Sequence, residues 1–206
     1  EKAKTTPEQY PMSLNALRNG CNQKSNRAPL MQLDDDDVEM ALDRLREAGA
    51  ALELQTDGRV PKFRHRLYEW LGVDKVELAV MAELLLRGPQ TIGELRGRAA
   101  RMEPISDISA LQPVLDALES NRLIQYLTPR GRGCIVTHNL YRAAELDALV
   151  KKHGTLPNPP GEVAKAQPPQ VSTARAPASE APASQPSTAT VSAAPSGPQP
   201  SSQGDL

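Results

Sequence analysis

The segment "LRGPQTIGELRGRAARM" (Leu86–Met102) contains the clearest helix start in the chain. Thr91 is a typical N-cap residue, and Glu94, three positions later, completes a capping box. Gly88 and Pro89, directly before it, end any preceding helix. Apolar side chains recur with helical spacing and predict an inward face made of Ile92, Leu95 and Ala99. The segment therefore predicts a short amphipathic helix that follows another helix, as in a helix-turn-helix motif.

The neighbouring segments extend this motif to a winged helix-turn-helix unit. Upstream, "DKVELAVMAELLLRG" (74–88) predicts a first helix capped by Asp74, and downstream a third helix is expected over about Ser109–Ser120. Two extended runs follow, separated by "TPRGRG" (128–133), whose proline and glycines indicate a turn. Three helices followed by a strand, a turn and a strand form the element order of a winged helix-turn-helix. A last helix is predicted over 140–154.

A similar unit lies upstream of this one. "LDRLREAGAALEL" (Leu42–Leu54) resembles "LDALESNRLIQYL" (Leu115–Leu127) at an offset of 73 residues. Each segment ends a predicted helix, supplies a left-handed cap at Gly49 or Asn121, and continues as an apolar strand. The predicted inward faces of the two helices are Val38, Ala41, Leu42 and Leu45 in the first copy, and Leu111, Val114, Leu115 and Leu118 in the second.

The first copy contains most of the matching elements. "SLNALRNGCNQ" (13–23) predicts its second helix, 34–48 its third helix, and Asp57-Gly58 the turn of its hairpin. Only "EKAK" precedes the "TTPEQYP" loop, so we expect a longer natural chain whose missing first helix would stabilise this domain. The expected fold class is α+β, mainly α with small β-wings: tandem winged helix-turn-helix domains over residues 1–70 and 71–154.

Composition changes sharply at residue 155. Residues 155–206 are rich in Pro, Ala, Ser, Thr and Gln, and they contain eleven of the nineteen prolines and no aromatic residue. Such a segment buries too little apolar surface to offset its chain entropy, so a disordered, partly polyproline II tail is expected. A solvated tether and a docking strand for a partner are the two alternatives for its role.

Charge and motif content exclude several classes of function. The chain has 24 basic and 25 acidic residues, and removing those of the tail leaves 22 of each in residues 1–154. Its apolar runs are too short to span a membrane, and its two cysteines and three histidines have no metal-ligand spacing. It has no Gly-rich phosphate loop and no nucleophile motif. We expect a reduced cytoplasmic protein that is not an enzyme, with no cofactor, metal, membrane or small-molecule substrate.

Two long segments carry a family resemblance. "TTPEQYPMSLNALRNGCNQKSNRAPLMQL" (Thr5–Leu33) and "LLLRGPQTIGELRGRAARM" (Leu84–Met102) resemble the bacterial YceH-like family, and the likeness extends over roughly residues 1–154. The resemblance implies two tandem winged-helix domains in a bacterial cytosolic protein, and it brings no established activity. The chain departs from the family by lacking the first helix.

The third helix of each unit is the one that enters the major groove in many helix-turn-helix proteins. Here Asp34–Ala48 begins with four aspartates, and Ser109–Ser120 contains no arginine or lysine. Acidic helices are repelled by duplex DNA, whose binding is driven largely by counterion release. Aspartates at a helix start also have a simpler explanation, since they stabilise the positive end of the helix dipole.

Basic residues gather elsewhere, in the two wings and in the second helix of the second unit. The candidate DNA-binding residues are Arg59, Lys62, Arg64, Arg66, Arg96, Arg98, Arg101, Arg130 and Arg132. For any single one of these residues, the alternative to DNA binding is that it is an ordinary solvated charge on the protein surface.

The segment "CNQKSNR" (Cys21–Arg27) is a second candidate site. Its side chains suit contact with phosphate or with a partner, and the residues concerned are Asn22, Gln23, Lys24, Asn26 and Arg27. Asn and Ser also make the hydrogen bonds that close loops, so a purely structural role is the equal alternative.

Two functions from different classes remain. The first is a non-enzymatic regulator that associates with double-stranded DNA, contacting phosphate through its wings and second-helix arginines. The alternative is a protein-interaction module with no direct DNA binding, in which the acidic helices form the surface for a protein partner or a second copy of the chain. Analogy with other helix-turn-helix folds favours DNA binding. The neutral charge of residues 1–154 and the acidic third helices do not favour it.

Overall fold

The computed structural model describes residues 1–55 and 60–154. The predicted Asp57-Gly58 turn, Arg59 and the predicted tail (155–206) therefore lie outside the described residues. The first part of the chain contains α1 (Lys2–Thr5), a 3-10 turn (Pro7–Gln9), β1 (Met12–Ser13), α2 (Leu14–Cys21), α3 (Asp35–Glu47), β2 (Ala51–Leu54) and β3 (Lys62–His65). It is followed by α4 (Leu67–Leu71), α5 (Lys75–Arg87), β4 (Gln90–Thr91), α6 (Ile92–Ala99), α7 (Ile108–Ser120), β5 (Ile124–Tyr126), β6 (Ile135–His138) and α8 (Ala143–His153).

Helices and small sheets together confirm the α+β class. The described residues form eight α-helices and two antiparallel three-stranded sheets. All of these elements belong to one compact unit of the chain. The division into domains at residues 70 and 71 stays a prediction.

The two sheets have the same strand arrangement. Strand order is β1-β3-β2 in the first sheet and β4-β6-β5 in the second, so the last strand of each lies in the middle. In the first sheet Met12 pairs with Phe63, and in the second Gln90 pairs with Val136. We call α1 to β3 the first repeat and α5 to β6 the second repeat. The hairpins β2–β3 and β5–β6 are the first and second hairpin.

Backbone hydrogen bonds confirm the predicted repeat at an offset of 73 residues. After α3 in the first repeat and after α7 in the second, equivalent N–H groups donate to equivalent carbonyl groups. The pairs are Gly49 to Arg46 (2.9 Å) and Arg122 to Glu119 (2.8 Å), Ala50 to Leu45 (2.8 Å) and Leu123 to Leu118 (2.9 Å), and Arg66 to Ala50 (2.7 Å) and Asn139 to Leu123 (2.9 Å).

One predicted cap is wrong. Gly49 has the expected left-handed backbone, with φ of 76°, but Asn121 has φ of −81° and the left-handed residue is Arg122, with φ of 57°. The offset of 73 aligns Gly49 with Arg122, not with Asn121. The Asn139 side chain donates to the Arg122 carbonyl at 3.0 Å, which helps to hold this residue in a conformation that usually favours glycine.

The capping residues predicted for α5 and α6, Asp74 and Thr91, are confirmed, and side chains also cap α2 and α3. Capping boxes join Asp34 with Asp37, Asp74 with Glu77, and Thr91 with Glu94, and the Ser13 hydroxyl caps α2. Each side chain satisfies a backbone N–H that has no partner within its own helix. Short polar sequences thus fix where α2, α3, α5 and α6 begin.

The main hydrophobic core lies in the second repeat. Leu95 and Ala99 of α6 are fully buried, and so are Leu111, Leu115 and Leu118 of α7, which confirms most of the predicted faces. In the first repeat Val38 and Leu42 of α3 are buried, but Ala41 is exposed and Leu45 is 42% exposed. The α3 helix is therefore covered along only part of its predicted apolar face.

A four-residue motif, His-x-Leu-Tyr, follows the same 73-residue offset. His65 and His138 end the central strands of the two sheets, and each Nδ1 accepts the N–H of the leucine two residues later, at 3.3 Å and 3.1 Å. The His138 ring stacks on Tyr141 with ring centres 3.8 Å apart. Burial lowers the pKa of His138 to about 4 and also lowers the pKa of His65.

We expect these histidines to make the fold sensitive to acid. The unfolded chain protonates His138 near its ordinary pKa of about 6.5, whereas the folded chain keeps it neutral down to about pH 4. Stability is therefore lost as the pH falls through this window, by about 2 kcal/mol between pH 7 and pH 5. A His138→Gln variant, whose amide oxygen can still accept the Leu140 N–H, should lose about 2 kcal/mol less than the wild type.

Urea unfolding of both proteins at pH 7 and pH 5 measures this difference. His65→Gln should act in the same direction because burial depresses that pKa as well. An equal loss of stability in the wild type and in His138→Gln would contradict the role of this histidine.

Candidate nucleic-acid interface

Strand β3 and the residue directly after it, Arg66, present the clearest group of free cations. The side chains of Lys62, Arg64 and Arg66 are exposed, and they have no hydrogen bond or ion pair to any described residue. Lys62 pairs with Leu54 and Arg64 with Leu52, so both cations share one sheet face with apolar neighbours. The charged ends of these side chains are therefore available to a ligand.

The alternate residues of β3 hold the strand in place. Phe63 and His65 are half-buried on the opposite side, as the period of two along a strand requires. The His65 N–H donates to the Tyr10 hydroxyl at 2.7 Å, and its ring lies between Tyr10 and Tyr68. The packing of Phe63 and His65 on one face of β3 therefore holds the strand in place, and Lys62 and Arg64 are exposed on its other face.

In the second hairpin the two candidate arginines differ. Arg132 is exposed and has no side-chain partner among the described residues. Arg130 donates to Asp116 at 2.9 Å and to Glu119, and its guanidinium lies 4.5 Å from the centre of the Tyr126 ring. The hydrogen bond between Arg130 and Asp116 raises the pKa of Arg130 and lowers the pKa of Asp116. Arg130 is therefore paired with two carboxylates of α7.

The three candidate arginines on or beside α6 all bind groups of the protein itself. Arg96 donates to the carbonyl groups of Ile105 (3.2 Å) and Ser106 (3.1 Å). Arg98 donates to Gln90 at 2.6 Å and pairs with Glu94 at 3.2 Å, while Arg101 pairs with Glu83 at 3.1 Å. The guanidinium groups of these three arginines are therefore engaged by groups of the protein itself.

Glu83 of α5 is the centre of a buried ion-pair network. Its side chain is fully buried, with Oε1 at 2.9 Å from Arg87 Nε and Oε2 at 3.1 Å from Arg101. Glu83 Oε1 and Arg87 Nε make no hydrogen bond to a described residue, so their contact is an ion pair. Arg87 also donates to the Asn26 side chain, and Arg101 lies 4.0 Å from Glu1. The network connects α5 and α6 with the first repeat.

The segment Cys21–Arg27 is held by its own hydrogen bonds. Asn22 donates to and accepts from the backbone of Leu33 at 2.7 Å and 2.8 Å. Gln23 donates to the Ser25 carbonyl at 2.7 Å. Arg27 donates to the Gly20 carbonyl and pairs with Glu1 at 2.8 Å, both charged side chains being 6% exposed.

These contacts are those of a closed loop, and a binding role for the segment stays a prediction. Asn26 accepts from Arg87 and adopts a left-handed backbone with φ of 58°. Lys24 is exposed, and its ammonium group has no partner among the described residues. It is therefore the one candidate of this segment whose charge is not used within the described part of the chain.

The outer surface of α3 is acidic and partly apolar. Asp35 pairs with Arg18 at 2.9 Å, and Asp43 pairs with Arg46 at 3.0 Å. Asp36 and Glu39 are exposed and have no ion pair to a described residue. Met40 and Leu45 are 49% and 42% exposed on the same helix.

Within residues 1–55 and 60–154, no three His, Cys, Asp or Glu side chains are grouped so that they could hold a metal ion. No helix in these two ranges combines the length and the apolar character needed to cross a bilayer.

Fold and surface together define an α+β protein with an internal repeat and a basic strand. The chain belongs to the family described as "Protein of unknown function, DUF480", which it matches over residues 1–133. This finding confirms membership of an uncharacterised bacterial family, and the YceH-like label stays a prediction.

Curated relatives extend the same family likeness. A UPF0502 protein of Rhodopirellula baltica is 56% identical over 152 residues, which is 74% of this chain and 64% of the relative. UPF0502 proteins of Geotalea daltonii and Geobacter sulfurreducens are 58% and 52% identical over 118 residues, each covering 57% of this chain and 54% of the relative. The chain thus spans between about half and two thirds of the length of these relatives.

Two arrangements were not predicted from the sequence. Glu83 stands among leucines in α5 and gives no sign that it meets Arg101, eighteen residues later. The contact of Arg130 with Asp116 and Tyr126 was also missed, because it joins a loop to a helix and a strand. The His-x-Leu-Tyr motif, by contrast, could have been found by extending the 73-residue comparison beyond Leu127.

Removing the Glu83 charge should destabilise the fold. Glu83→Gln keeps the size of the side chain but leaves Arg87 and Arg101 beside a neutral amide. Breaking a buried ion pair by removing one partner costs about 3 to 5 kcal/mol, and the partial exposure of both arginines favours the lower end, about 3 kcal/mol.

The free energy of unfolding in urea measures this effect. Glu39→Gln on the exposed surface of α3 is the matched control and should change stability by less than about 0.5 kcal/mol. Equal stability of Glu83→Gln and Glu39→Gln would contradict a structural role of the network.

Proposed function

We propose that both repeats are winged helix-turn-helix domains and that the protein associates with double-stranded DNA through phosphate contacts of its first hairpin. The fold assignment is supported by the order of helices and strands in the second repeat and by the identical strand order of the two sheets. The domains proposed are residues 1–70 and 71–154. Non-enzymatic and cytoplasmic character belong to the same proposal.

The single observation that carries the DNA proposal is the free charge on β3 and at Arg66, the residue directly after this strand. Lys62, Arg64 and Arg66 lie within five residues and are exposed without partners among the described residues. Phosphate contacts by basic side chains release counterions from the duplex, and this release drives non-specific binding. Arg59 is a further candidate in the same hairpin, but it lies outside the described residues.

The proposed contacts position the protein without reading sequence. The helices α3 and α7, which would enter the major groove in many winged-helix proteins, offer mainly carboxylates. Arg96, Arg98 and Arg101 are engaged within the fold, which weakens the case for second-helix contacts. We therefore expect weak, salt-dependent binding with little preference among sequences.

A second candidate is a protein-interaction module that does not bind DNA. It is supported by α3, which carries the exposed carboxylates of Asp36 and Glu39 and the exposed apolar side chains of Met40 and Leu45. A basic, partly apolar surface of a protein partner, or of a second copy of this chain, would suit this helix.

A salt titration with a mixed-sequence DNA duplex tests both candidates. Each lost phosphate contact lowers the slope of log K against log salt by about 0.9, so Arg64→Ala with Arg66→Ala should lower it by about 1.8 and weaken all sequences alike. Fluorescence anisotropy of the labelled duplex provides the measurement.

Two control variants on α3 make the test specific. Arg44→Ala, which removes an exposed arginine from the acidic helix, should leave the salt slope unchanged. Asp36→Ala with Glu39→Ala should leave binding unchanged or slightly tighter. If this acidic pair proves essential and Arg64 and Arg66 prove dispensable, the DNA proposal fails and the protein-interaction candidate takes its place.

A further inference from the structure

The connections of the two hairpins share one dipeptide. At the offset of 73 residues, residues 55–61 of the first hairpin correspond to residues 128–134 of the second. Within these ranges Gly58-Arg59 corresponds to Gly131-Arg132, and every other position differs. An arginine directly after a glycine is therefore the feature that the two connections have in common.

Strand pairing shows that the two connections have the same length. Leu54 pairs with Lys62 in the first hairpin. At the equivalent positions of the second hairpin, the Leu127 N–H donates to the Ile135 carbonyl at 2.8 Å. The same number of residues therefore separates the paired strands in both hairpins, and the shared arginine has the same place in each connection.

Arg130, two residues before Arg132, is held by several groups. It donates to Asp116 at 2.9 Å and pairs with Glu119. Its guanidinium also lies 4.5 Å from the centre of the Tyr126 ring. Arg132, by contrast, is exposed and has no side-chain partner among the described residues. Arg130 is thus an anchor of the connection, whereas the charge of Arg132 is free.

Cys134 anchors the connection on the other side of Arg132. Its side chain is 3% exposed, and its N–H donates to the Gly131 carbonyl at 3.2 Å. Gly131 and Gly133, the two neighbours of Arg132, have φ of 152° and 79°, which favours glycine. Because glycine allows many backbone conformations, the anchors at Arg130 and Cys134 are what give Arg132 a defined position.

We propose that Arg132 is a second phosphate contact of this protein, and that Arg130 is a positioning residue that holds the connection carrying it. This inference rests on the proposed DNA binding by the first hairpin, and it makes the contact with the duplex bivalent. Arg59 and Arg132, at equivalent positions, each bind a phosphate of the same duplex. An anchored side chain loses less entropy on binding than a mobile one, so positioning strengthens the contact.

Salt titration of the full chain with the labelled mixed-sequence duplex tests the second contact. Arg132→Ala should lower the slope of log K against log salt by about 0.9, and Arg132→Ala with Arg59→Ala should lower it by about 1.8. Arg122→Gly is the matched control. It removes an exposed arginine from the other end of β5, at a position where φ of 57° suits glycine, and should leave the slope unchanged.

A variant with neutral amides tests the positioning role of Arg130. Asp116→Asn, Glu119→Gln and Arg130→Gln together remove two negative charges and one positive charge, so net charge alone would strengthen DNA binding. Loss of the anchor predicts the opposite, a slope lowered by up to about 0.9. Adding Arg132→Ala to this variant should then change the slope little, because the two effects are coupled. Retained amide dispersion would show that each variant is folded.

The outcomes separate this inference from the proposed function. If Arg64→Ala with Arg66→Ala lowers the slope and Arg132→Ala does not, the second contact is wrong and DNA binding by the first hairpin stands. If neither lowers it, the proposed function fails and this inference fails with it. Equal losses in Arg122→Gly and Arg132→Ala would assign the effect to net charge. Binding of the neutral-amide variant as tight as that of the wild type would overturn the role of Arg130.

Discussion

A buried carboxylate organises the centre of this protein. Glu83 is fully enclosed, and burying a charge is costly unless it is paired with good geometry. Arg87 and Arg101 provide that pairing, and each also contacts a residue of the first repeat, Asn26 or Glu1. Because a buried carboxylate tolerates few arrangements of its partners, the network fixes α5, α6 and the loop after α2 relative to one another.

This use of arginine inside the fold shapes the outer surface. Arg96, Arg98 and Arg101 are drawn to carbonyl and carboxylate groups nearby, and Arg130 is held on α7. These arginines are candidate DNA contacts in the sequence, but in the structure their charges are engaged by groups of the protein itself. Among the candidate residues that the structure describes, Lys62 and Arg64 of β3 and Arg66 directly after it form the densest group of free cations. The proposed DNA contact is therefore placed there.

The two repeats share a backbone but differ in what covers their sheets. The positions of Lys62 and Arg64 in β3 correspond to Ile135 and Thr137 in β6. Thr137 is fully buried and contacts the Tyr141 hydroxyl at 3.1 Å, whereas Arg64 is exposed. A strand covered on both faces cannot accommodate free cations, so the second repeat supplies the main core and the first repeat supplies the charged surface.

Much of the architecture is determined locally by the sequence. Capping residues such as Thr91 and Asp74 set the helix starts, the spacing of Leu111, Leu115 and Leu118 sets the buried face of α7, and the 73-residue offset reveals the repeat. These signals act over a few residues, so the sequence alone suffices to recognise them. The acidic character of α3 and the neutral charge of residues 1–154 are likewise compositional.

Tertiary structure alone decided which charges are free. Arg101 meets Glu83 and Arg130 meets Asp116 only because α6 packs on α5 and the second hairpin folds back on α7. Ion pairs between distant segments depend on packing that no local pattern encodes, and electrostatic energy depends on the burial that this packing creates.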